Sequence, residues 1–392
     1  MQKNLHRFKQ LTVISDTAMY VKDGKFYGFG PVVRELEYIS HLFEKIIWVG
    51  FEREDLIGNP IMDLINLPHI NLVFLKKTGG NSLLSKLGVI LNTPLMLFTI
   101  IKSIYKADVV HTRAPSSPAF LAILLSFISK NKIWWNKYAG NWVQENPPFF
   151  FGLQKYVLQK AKHSKVTVNG KWLNQLPHIY SFENPCLTED QLTNGIEIIK
   201  RKKIISPFKF IFIGRLDDEK GIKRIMEALK NYSNELVESV DFIGDGEKLL
   251  EYQEDLRFLG NKIHFHSSLS NKDIHRLLAE SHFLLLPSTA SEGFPKVIAE
   301  ASCYGCIPIV SNISSIGQYI NSSNGFLWDI KGSLNFTDYF NSINFLDALD
   351  LSIKSSKIIT LGKLFSFRSY YEKICNNILN IDPPLNNKQN SV

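Results

Sequence analysis

The segment Ser291-Glu292-Gly293-Phe294-Pro295-Lys296-Val297-Ile298-Ala299-Glu300-Ala301 constrains this chain more than any other. It follows Phe283-Leu284-Leu285-Leu286-Pro287-Ser288, an apolar run that stops at a proline and reads as a buried parallel strand. Glu292 then falls in a loop, and Pro295 fits the first position of a helix. Free N–H groups from Phe294 to Val297 favour an anion in front of that helix. Glu300 comes eight residues after Glu292, about two turns into the helix. This spacing does not set both carboxylates on one helical face, so they address different parts of one ligand. Ala301, Gly305 and Pro308 return the chain to a strand at 307–311.

An earlier piece has the same form. Residues 208–213 are a second apolar run, and Gly214 lets the backbone turn at its carboxyl end, where open α/β sheets bind ligands. Arg215 and Lys220 follow, and Ile222, Ile225, Met226 and Leu229 recur at helical spacing from Gly221 onward. Two cations at a strand end suit a diphosphate. One cation about 4 Å from a phosphate oxygen contributes roughly 4 kcal/mol at an effective dielectric of 20. Taken alone, the cations could equally pair with Asp217, Asp218 and Glu219. Two such strand–loop–helix pieces in this order favour a ligand site.

Together these residues resemble the donor site of the retaining glycosyltransferases of family 4, the group 1 glycosyltransferases of GT-B fold. The resemblance covers about residues 208–330 and is much weaker before residue 180. It implies an α/β chain of two Rossmann-like doubly wound domains facing each other across a cleft. It implies a metal-independent enzyme with no cofactor and a nucleoside-diphosphate sugar as donor. Residues matching Arg215 and Lys220 hold the donor diphosphate in that family, the one matching Glu292 contacts the sugar, and the one matching Glu300 takes the ribose hydroxyls. Backbone amides at the positions of Gly293, Phe294, Pro295, Lys296 and Val297 approach the sugar and the distal phosphate. Asp241–Gly246 resembles a strand ending in the family's Gly-Asp-Gly turn, which adds Gly246 to the binding residues beside Gly214 of the earlier strand end. Residues 263–269 resemble the strand and turn that place the nucleobase, with Ser268 and Leu269 nearest it.

Other motifs are weaker. Gly244-Asp245-Gly246 lacks the third glycine of a dinucleotide fingerprint. His264 and His266 share one face of a strand, but no third residue completes a metal set, so the expected metal content is none. Cys303-Tyr304-Gly305-Cys306 has redox-motif spacing, yet it lies in a helix-to-strand return where small buried thiols pack.

The chain is long enough for two domains, and 45% hydrophobic with 21% charged residues it is globular. Its net charge of +8 favours a negatively charged partner. A nucleotide sugar and the inner membrane surface both qualify. No zinc-finger, RNP or helix-turn-helix pattern supports nucleic acid. The polar, basic start without an apolar run points to the cytoplasm, with membrane association left open. Residues 87–105 are the most lipid-like segment. Asn92, Pro94 and Lys102 interrupt it, so a buried or interfacial helix is expected rather than a membrane span.

The expected domains are residues 1–185 on the acceptor side, with a helix at 366–380 crossing back to it, and 190–365 on the nucleotide-sugar side. The Pro/Asn-rich tail at 382–392 is expected to be disordered. In the first domain a strand at 11–15 leads to a polar loop with Gly24, Gly28 and Gly30, then a helix from about Pro31. A glycine-bearing loop at this place faces the acceptor in the family, so Gly28 and Gly30 join the candidates. Many family members carry a cleft histidine just after the strand matching residues 133–135. Here Asn136-Lys137-Tyr138 stands in its place: either Asn136 or Lys137 takes over that contact, with Lys137 the candidate, or the acceptor side is built differently. The expected activity is transfer of a hexose-type sugar to a glycan or lipid-linked glycan. An epimerase or phosphorylase on the same fold, or a non-catalytic nucleotide-sugar-binding subunit, are the alternatives.

Overall fold

A strand that is apolar on both faces must be covered on both faces, and the chain meets that demand twice. The computed structural model describes residues 8–75, 83–230, 232 and 234–383. These form two compact units: one drawn from Met1–Gly58, Met62–Phe182 and Arg368–Val392, the other from Asn59–Ile61 and Glu183–Phe367.

In the first unit β1 (Phe8–Lys22), β3 (Phe43–Glu52), β5 (Ile70–Leu75), β6 (Val109–Ala114), β7 (Ile133–Tyr138), β8 (Lys165–Val168) and β9 (Ile179–Ser181) form a parallel sheet in the order β5-β3-β1-β6-β7-β8-β9. Successive side chains point to opposite faces of a strand. Val13, Trp48, Val109 and Trp135 therefore pack on one face with Val33 and Leu36 of α1 (Gly30–Ile39). Ile14, Val49, Val110 and Trp134 pack on the other with Ile100 of α2 (Leu83–Ile104) and Ala122 of α3 (Ser117–Ser126). This is a doubly wound Rossmann-like layer. α4 (Phe149–Lys160) lies beside α3, with Phe120 and Phe150 edge to face at 5.1 Å. The lipid-like stretch at 87–105 is α2, and among the described residues no helix is long and apolar enough to cross a membrane.

The N-terminal expectation needs correction. Residues 16–29 are not a polar loop: β1 runs on to Lys22 and turns at Asp23-Gly24 into the antiparallel β2 (Lys25–Phe29). Both turn residues have positive φ, 51° and 71°, as a two-residue hairpin that follows the strand twist requires. β4 (Met62–Leu64) pairs on the far side of β2.

The second unit holds β10 (Phe208–Ile213), β11 (Val237–Ile243), β12 (Ile263–His266), β13 (Phe283–Leu286), β14 (Ile307–Ser311) and β15 (Phe326–Trp328), all parallel, in the order β12-β11-β10-β13-β14-β15. Helices α5 (Glu189–Arg201), α6 (Ile222–Lys230), α7 (Leu249–Asp255), α8 (Asn271–Glu280), α9 (Lys296–Cys303), α10 (Phe336–Asn341), α11 (Ala348–Lys357) and α12 (Ile359–Leu364) complete it. One continuous core includes Phe208, Phe210 and Phe283, with Phe345 closing over all three at centroid distances of 5.1–6.2 Å. Such burial stabilises by roughly 1.5–3 kcal/mol per side chain.

The C-terminal helix α13 (Phe367–Lys373) continues as a π-helical turn, Ile374–Leu379, and stops at Asn380 in the left-handed region. From Arg368 onward it belongs to the first unit, where Tyr371 Oη lies 3.0 Å from His41 Nε2 and Asn380 accepts from Lys165 Nζ at 2.8 Å. From residue 384 the tail lies outside the described residues.

Candidate functional site

Strand order fixes where the second unit can bind a ligand. From β10 the chain moves outward through β11 to β12, then returns to the other side of β10 as β13. The connections after β10 and β13 therefore diverge, and a crevice opens between them at the carboxyl ends of the strands. These are the two loops singled out in the sequence.

Backbone contacts tie the loops together. Leu216 N donates to Asp245 O at 2.9 Å, Gly214 N to Ile243 O at 3.0 Å, and Gly244 N to His266 O at 3.0 Å. A Cβ on Gly244 would collide with the Gly214 carbonyl, and one on Gly246 with the Leu216 carbonyl, so both positions need glycine for close backbone approach. Across the switch point, Thr289 N donates to Glu219 O at 2.7 Å. Arg224 Nη1 bridges the Asp218 carbonyl at 3.0 Å and the Pro287 carbonyl at 3.2 Å.

Within this frame Lys220 Nζ sits 2.7 Å from Glu292 Oε1. Asp217 Oδ1 accepts from the Lys220 backbone N at 2.7 Å and holds the loop turned toward α9. Arg215 is more open, 68% exposed, and pairs with Asp217 at 2.9 Å. Asp218 accepts from Lys248 at 2.7 Å and from Tyr252 at 3.0 Å, which together keep its carboxyl below the usual range. The acidic run 217–219 is thus divided between two cations, Arg215 and Lys248, and the Tyr252 phenol. Among the described residues no group of three His, Cys, Asp or Glu is placed to hold a metal ion.

Pro295 is the N-cap of α9, with Lys296 the first helical residue, one position later than expected. Proline lacks an N–H, so the amides facing outward at this end come from Lys296 and Val297. The turn before it is fixed by Ser314 and Ser315, whose hydroxyls donate to the Gly293 carbonyl at 2.7 and 2.8 Å. Phe294 anchors it from below, stacked on Phe365 at 4.5 Å. The Lys296 ammonium donates to the Pro185 carbonyl at 2.9 Å. Glu300 lies half-buried on α9. Ser268 Oγ donates to Asp245 at 2.6 Å, which joins the loop after β12 to the loop after β11, and Leu269 packs against the core beside it.

His264 and His266 both face Asp241, at 3.4 and 2.7 Å, as a carboxylate-bridged pair. All four cysteines are free and buried; burial pushes the Cys303 and Cys306 thiols up to about 12, which leaves them unreactive as thiolates.

In the first unit, Gly28 is an inner residue of β2, opposite Met19 of β1 and Asp63 of β4, and Gly30 starts α1; both are buried. Lys137 at the end of β7 is 6% exposed and lies 2.9 Å from Glu35 of α1, which also accepts from Arg113 of β6 at 2.6 Å. Lys137 Nζ also stands 5.6 Å from the centre of the Tyr370 ring. Asn136, the alternative to Lys137, is wholly buried, with its Oδ1 on Thr112 at 2.8 Å. Neither residue reproduces an exposed imidazole. His111, one strand over, stacks on Trp135 at 3.7 Å, and burial followed by the Arg113 and Lys137 charges drives its pKa well below the ordinary range.

Sequence reasoning missed Arg224, Gly221 and the Glu35–Arg113–Lys137 cluster. Gly221 was read only as the start of a helix; its φ of 99° and a would-be Cβ 2.5 Å from Pro287 O show that the position demands glycine. The partners of the other residues are far away in sequence.

The family model described as glycosyl transferases group 1 matches residues 196–344, the stretch holding both switch-point loops. Granule-bound starch synthase 1 of Pisum sativum is 32% identical over 111 residues, covering 27% of this chain and only 17% of that protein. Among solved structures, Anabaena HepE in complex with UDP superposes with a TM-score of 0.66 at 15% identity, covering 95% of this chain and 100% of that one. The lipopolysaccharide outer core galactosyltransferase WaaB in its apo form gives 0.62 at 17% identity, covering 95% and 99%. At these identities the likeness is one of fold. The chain has the two-domain α/β architecture of the GT-B glycosyltransferases, and its second unit matches the group 1 sequence pattern.

Proposed function

We propose that this protein is a retaining, metal-independent glycosyltransferase that moves a sugar from a nucleoside-diphosphate sugar to a hydroxyl of a glycan or lipid-linked glycan. The observation that carries the reading is the Lys220–Glu292 pair at the switch point, beside the N-terminal end of α9. Lys220, Arg215 and the amides of Lys296 and Val297 supply positive charge where a diphosphate leaves. Glu292 addresses the sugar and Glu300 the ribose. Gly214, Gly246, Ser268 and Leu269 line the nucleoside side. Gly28, Gly30 and Lys137 belong to the acceptor side.

In the proposed front-face reaction the bond from the anomeric carbon to the diphosphate oxygen breaks. A bond from the acceptor oxygen forms on the same face. The acceptor proton passes to the departing phosphate. The protein's part is to orient the donor and to hold the charge that develops on the leaving group. The family match, and the UDP and UDP-glucose complexes of Anabaena HepE with the same fold, support this reading. Work at the cytoplasmic face of a membrane belongs to the same proposal.

The test is a thermal-shift screen of nucleoside diphosphates, followed by donor turnover in EDTA. A ligand present at 100 times its Kd adds about 2.7 kcal/mol of stability. Nucleotide-dependent stabilisation with turnover that survives EDTA supports the proposal. Loss of turnover in EDTA, restored by Mg²⁺ or Mn²⁺, refutes its metal-free part. Binding without any turnover identifies a non-catalytic nucleotide-sugar-binding subunit instead.

A further inference from the structure

A helix that is apolar all round is normally covered all round. α3, Ser-Pro-Ala-Phe-Leu-Ala-Ile-Leu-Leu-Ser, carries no charge, yet its outer side is only part-covered, with Leu124 43% exposed and Phe120, Leu121 and Leu125 half-buried. Its neighbours repeat the anomaly. The outward stripe of α2 holds Phe98, 64% exposed, and leads to Tyr105, 77% exposed. Beyond α3 stands Ile128 at 80%, and along α4 stand Phe149 at 86% and Tyr156 at 57%. These residues lie on or just beyond three neighbouring helices, α2 against α3 and α3 against α4, which pack on the same face of the sheet.

The charge around them is predominantly positive. Residues 92–170 contain ten Lys and Arg and only two acids, an excess as large as the net +8 of the whole chain. Arg113 and Lys137 are spent on Glu35 inside the unit. Lys102, Lys106, Lys130 and Lys160 are exposed among the apolar residues. Lys160 Nζ lies 5.4 Å from the centre of the Tyr156 ring, so cation and ring present themselves together. Lys132 donates to the carbonyls of Tyr105 and Ala107 at 3.1 and 2.9 Å, which ties the end of α2 to the turn before β7 and holds Tyr105 in place.

We propose that the outer face of α2, α3 and α4 docks on an anionic lipid bilayer. Aromatic and aliphatic side chains enter the interface and the lysines meet lipid phosphates. Large exposed apolar patches on water-facing proteins mark interaction sites. The lysine excess selects an anionic partner, and interleaved aromatics fit a headgroup boundary better than a flat protein surface. All three helices run from the carboxyl to the amino edge of the sheet. Laid flat on a membrane, this face leaves the carboxyl edge opening along the bilayer, where a lipid-linked acceptor is presented. The proposal deepens the glycosyltransferase reading, on which it rests for the acceptor, by naming the surface that meets the acceptor's membrane.

The test is co-sedimentation of the full chain, without nucleotide, with phosphatidylcholine vesicles and with vesicles that also contain phosphatidylglycerol. The expected result is partition onto the anionic vesicles only, weakened by salt. Phe98→Glu with Ile128→Glu should lower that partition by roughly tenfold or more, and Lys102→Glu with Lys160→Glu should lower it by roughly fivefold or more per lysine. Both variants should keep the wild-type response to nucleoside diphosphates in a thermal shift, which shows that they fold. Equal partition by variants and wild type, or no partition onto anionic vesicles, overturns the proposal. So does a concentration-dependent dimer in light scattering that Phe98→Glu with Ile128→Glu abolishes, because a second copy then covers this face. Failure of the glycosyltransferase reading shows itself separately, as absent nucleotide binding with vesicle binding intact.

Discussion

Lys220 and Glu292, 72 residues apart, hold each other at 2.7 Å across the switch point of the second sheet, with side chains 16% and 29% exposed. A diphosphate that takes Lys220 must displace this carboxylate or share the amine with it. On the proposed reading Glu292 competes with the diphosphate for the lysine, besides addressing the sugar. Glu292→Gln should leave affinity for a bare nucleoside diphosphate intact or raise it, by at most about fivefold for a partly exposed pair of about 1 kcal/mol. Transfer should fall by about 10²-fold, the scale for removing a charged group from the reacting centre. Calorimetry with the nucleotide and steady-state transfer rates read the two effects independently. Loss of nucleotide binding in this variant would remove Glu292 from the sugar.

The backbone crossing at Gly244 gives a stability prediction. A methyl group there meets the Gly214 carbonyl, and the φ of 139° is strained for any side chain. Gly244→Ala should cost about 1–3 kcal/mol in urea unfolding, the range of core overpacking. It should also weaken nucleotide binding, because it displaces the turn that carries Gly214.

Glu35 lies 2% exposed between Arg113 and Lys137. Glu35→Ala would leave two buried cations side by side. Breaking a buried charge cluster at one partner costs about 3–5 kcal/mol. Thermal unfolding should show this loss, whereas replacing an exposed acid such as Glu44 should change stability by less than about 0.5 kcal/mol.

His282 gives a pH dependence. Burial, reinforced by the nearby Lys202 charge, lowers its imidazole to about 4 from the ordinary 6.5, and its Nδ1 accepts from Lys209 N at 3.2 Å, which requires the neutral ring. Between these values the unfolded chain binds the proton and the folded chain does not. Stability is therefore full above pH 6.5 and falls as pH drops toward 4. The loss is at most about 3 kcal/mol, and less once water screens a partly exposed ring. His282→Asn keeps an acceptor for Lys209 and cannot titrate, so the slope in this window should flatten in urea unfolding measured across it.

What was legible in the sequence follows from range. β10, β13 and β14 are apolar runs broken only by Lys209 and Ser311, and each emerges where the sequence places it. The two loops at the switch point carry their own punctuation in Gly214 and in Gly293-Phe294-Pro295. Asp23-Gly24 was an equally local signal, a two-residue hairpin turn, but the glycines around it read as an acceptor-facing loop. The rest was not local. Arg224 matters because it reaches the carbonyl of Pro287, 63 residues on, and Lys137 because its partner Glu35 lies 102 residues back. No periodicity announces a contact of that kind. The ion pair of Lys220 with Glu292 was hidden for the same reason, although both residues were singled out. The absence of a histidine after β7 drew attention to Lys137 without revealing that its charge is already committed to a buried carboxylate.

The central claim is that the crevice between β10 and β13 binds a nucleoside diphosphate through Lys220 without a metal. Calorimetric titration of nucleoside diphosphates in EDTA, into the wild-type chain and into Lys220→Ala, tests it most directly. The account predicts saturable binding of at least one of them by the wild type, weakened roughly tenfold or more in Lys220→Ala, as expected when a charge-assisted hydrogen bond worth about 1.5–3 kcal/mol is removed. No binding of any nucleoside diphosphate to the folded wild type, or equal affinity in the variant, would contradict it.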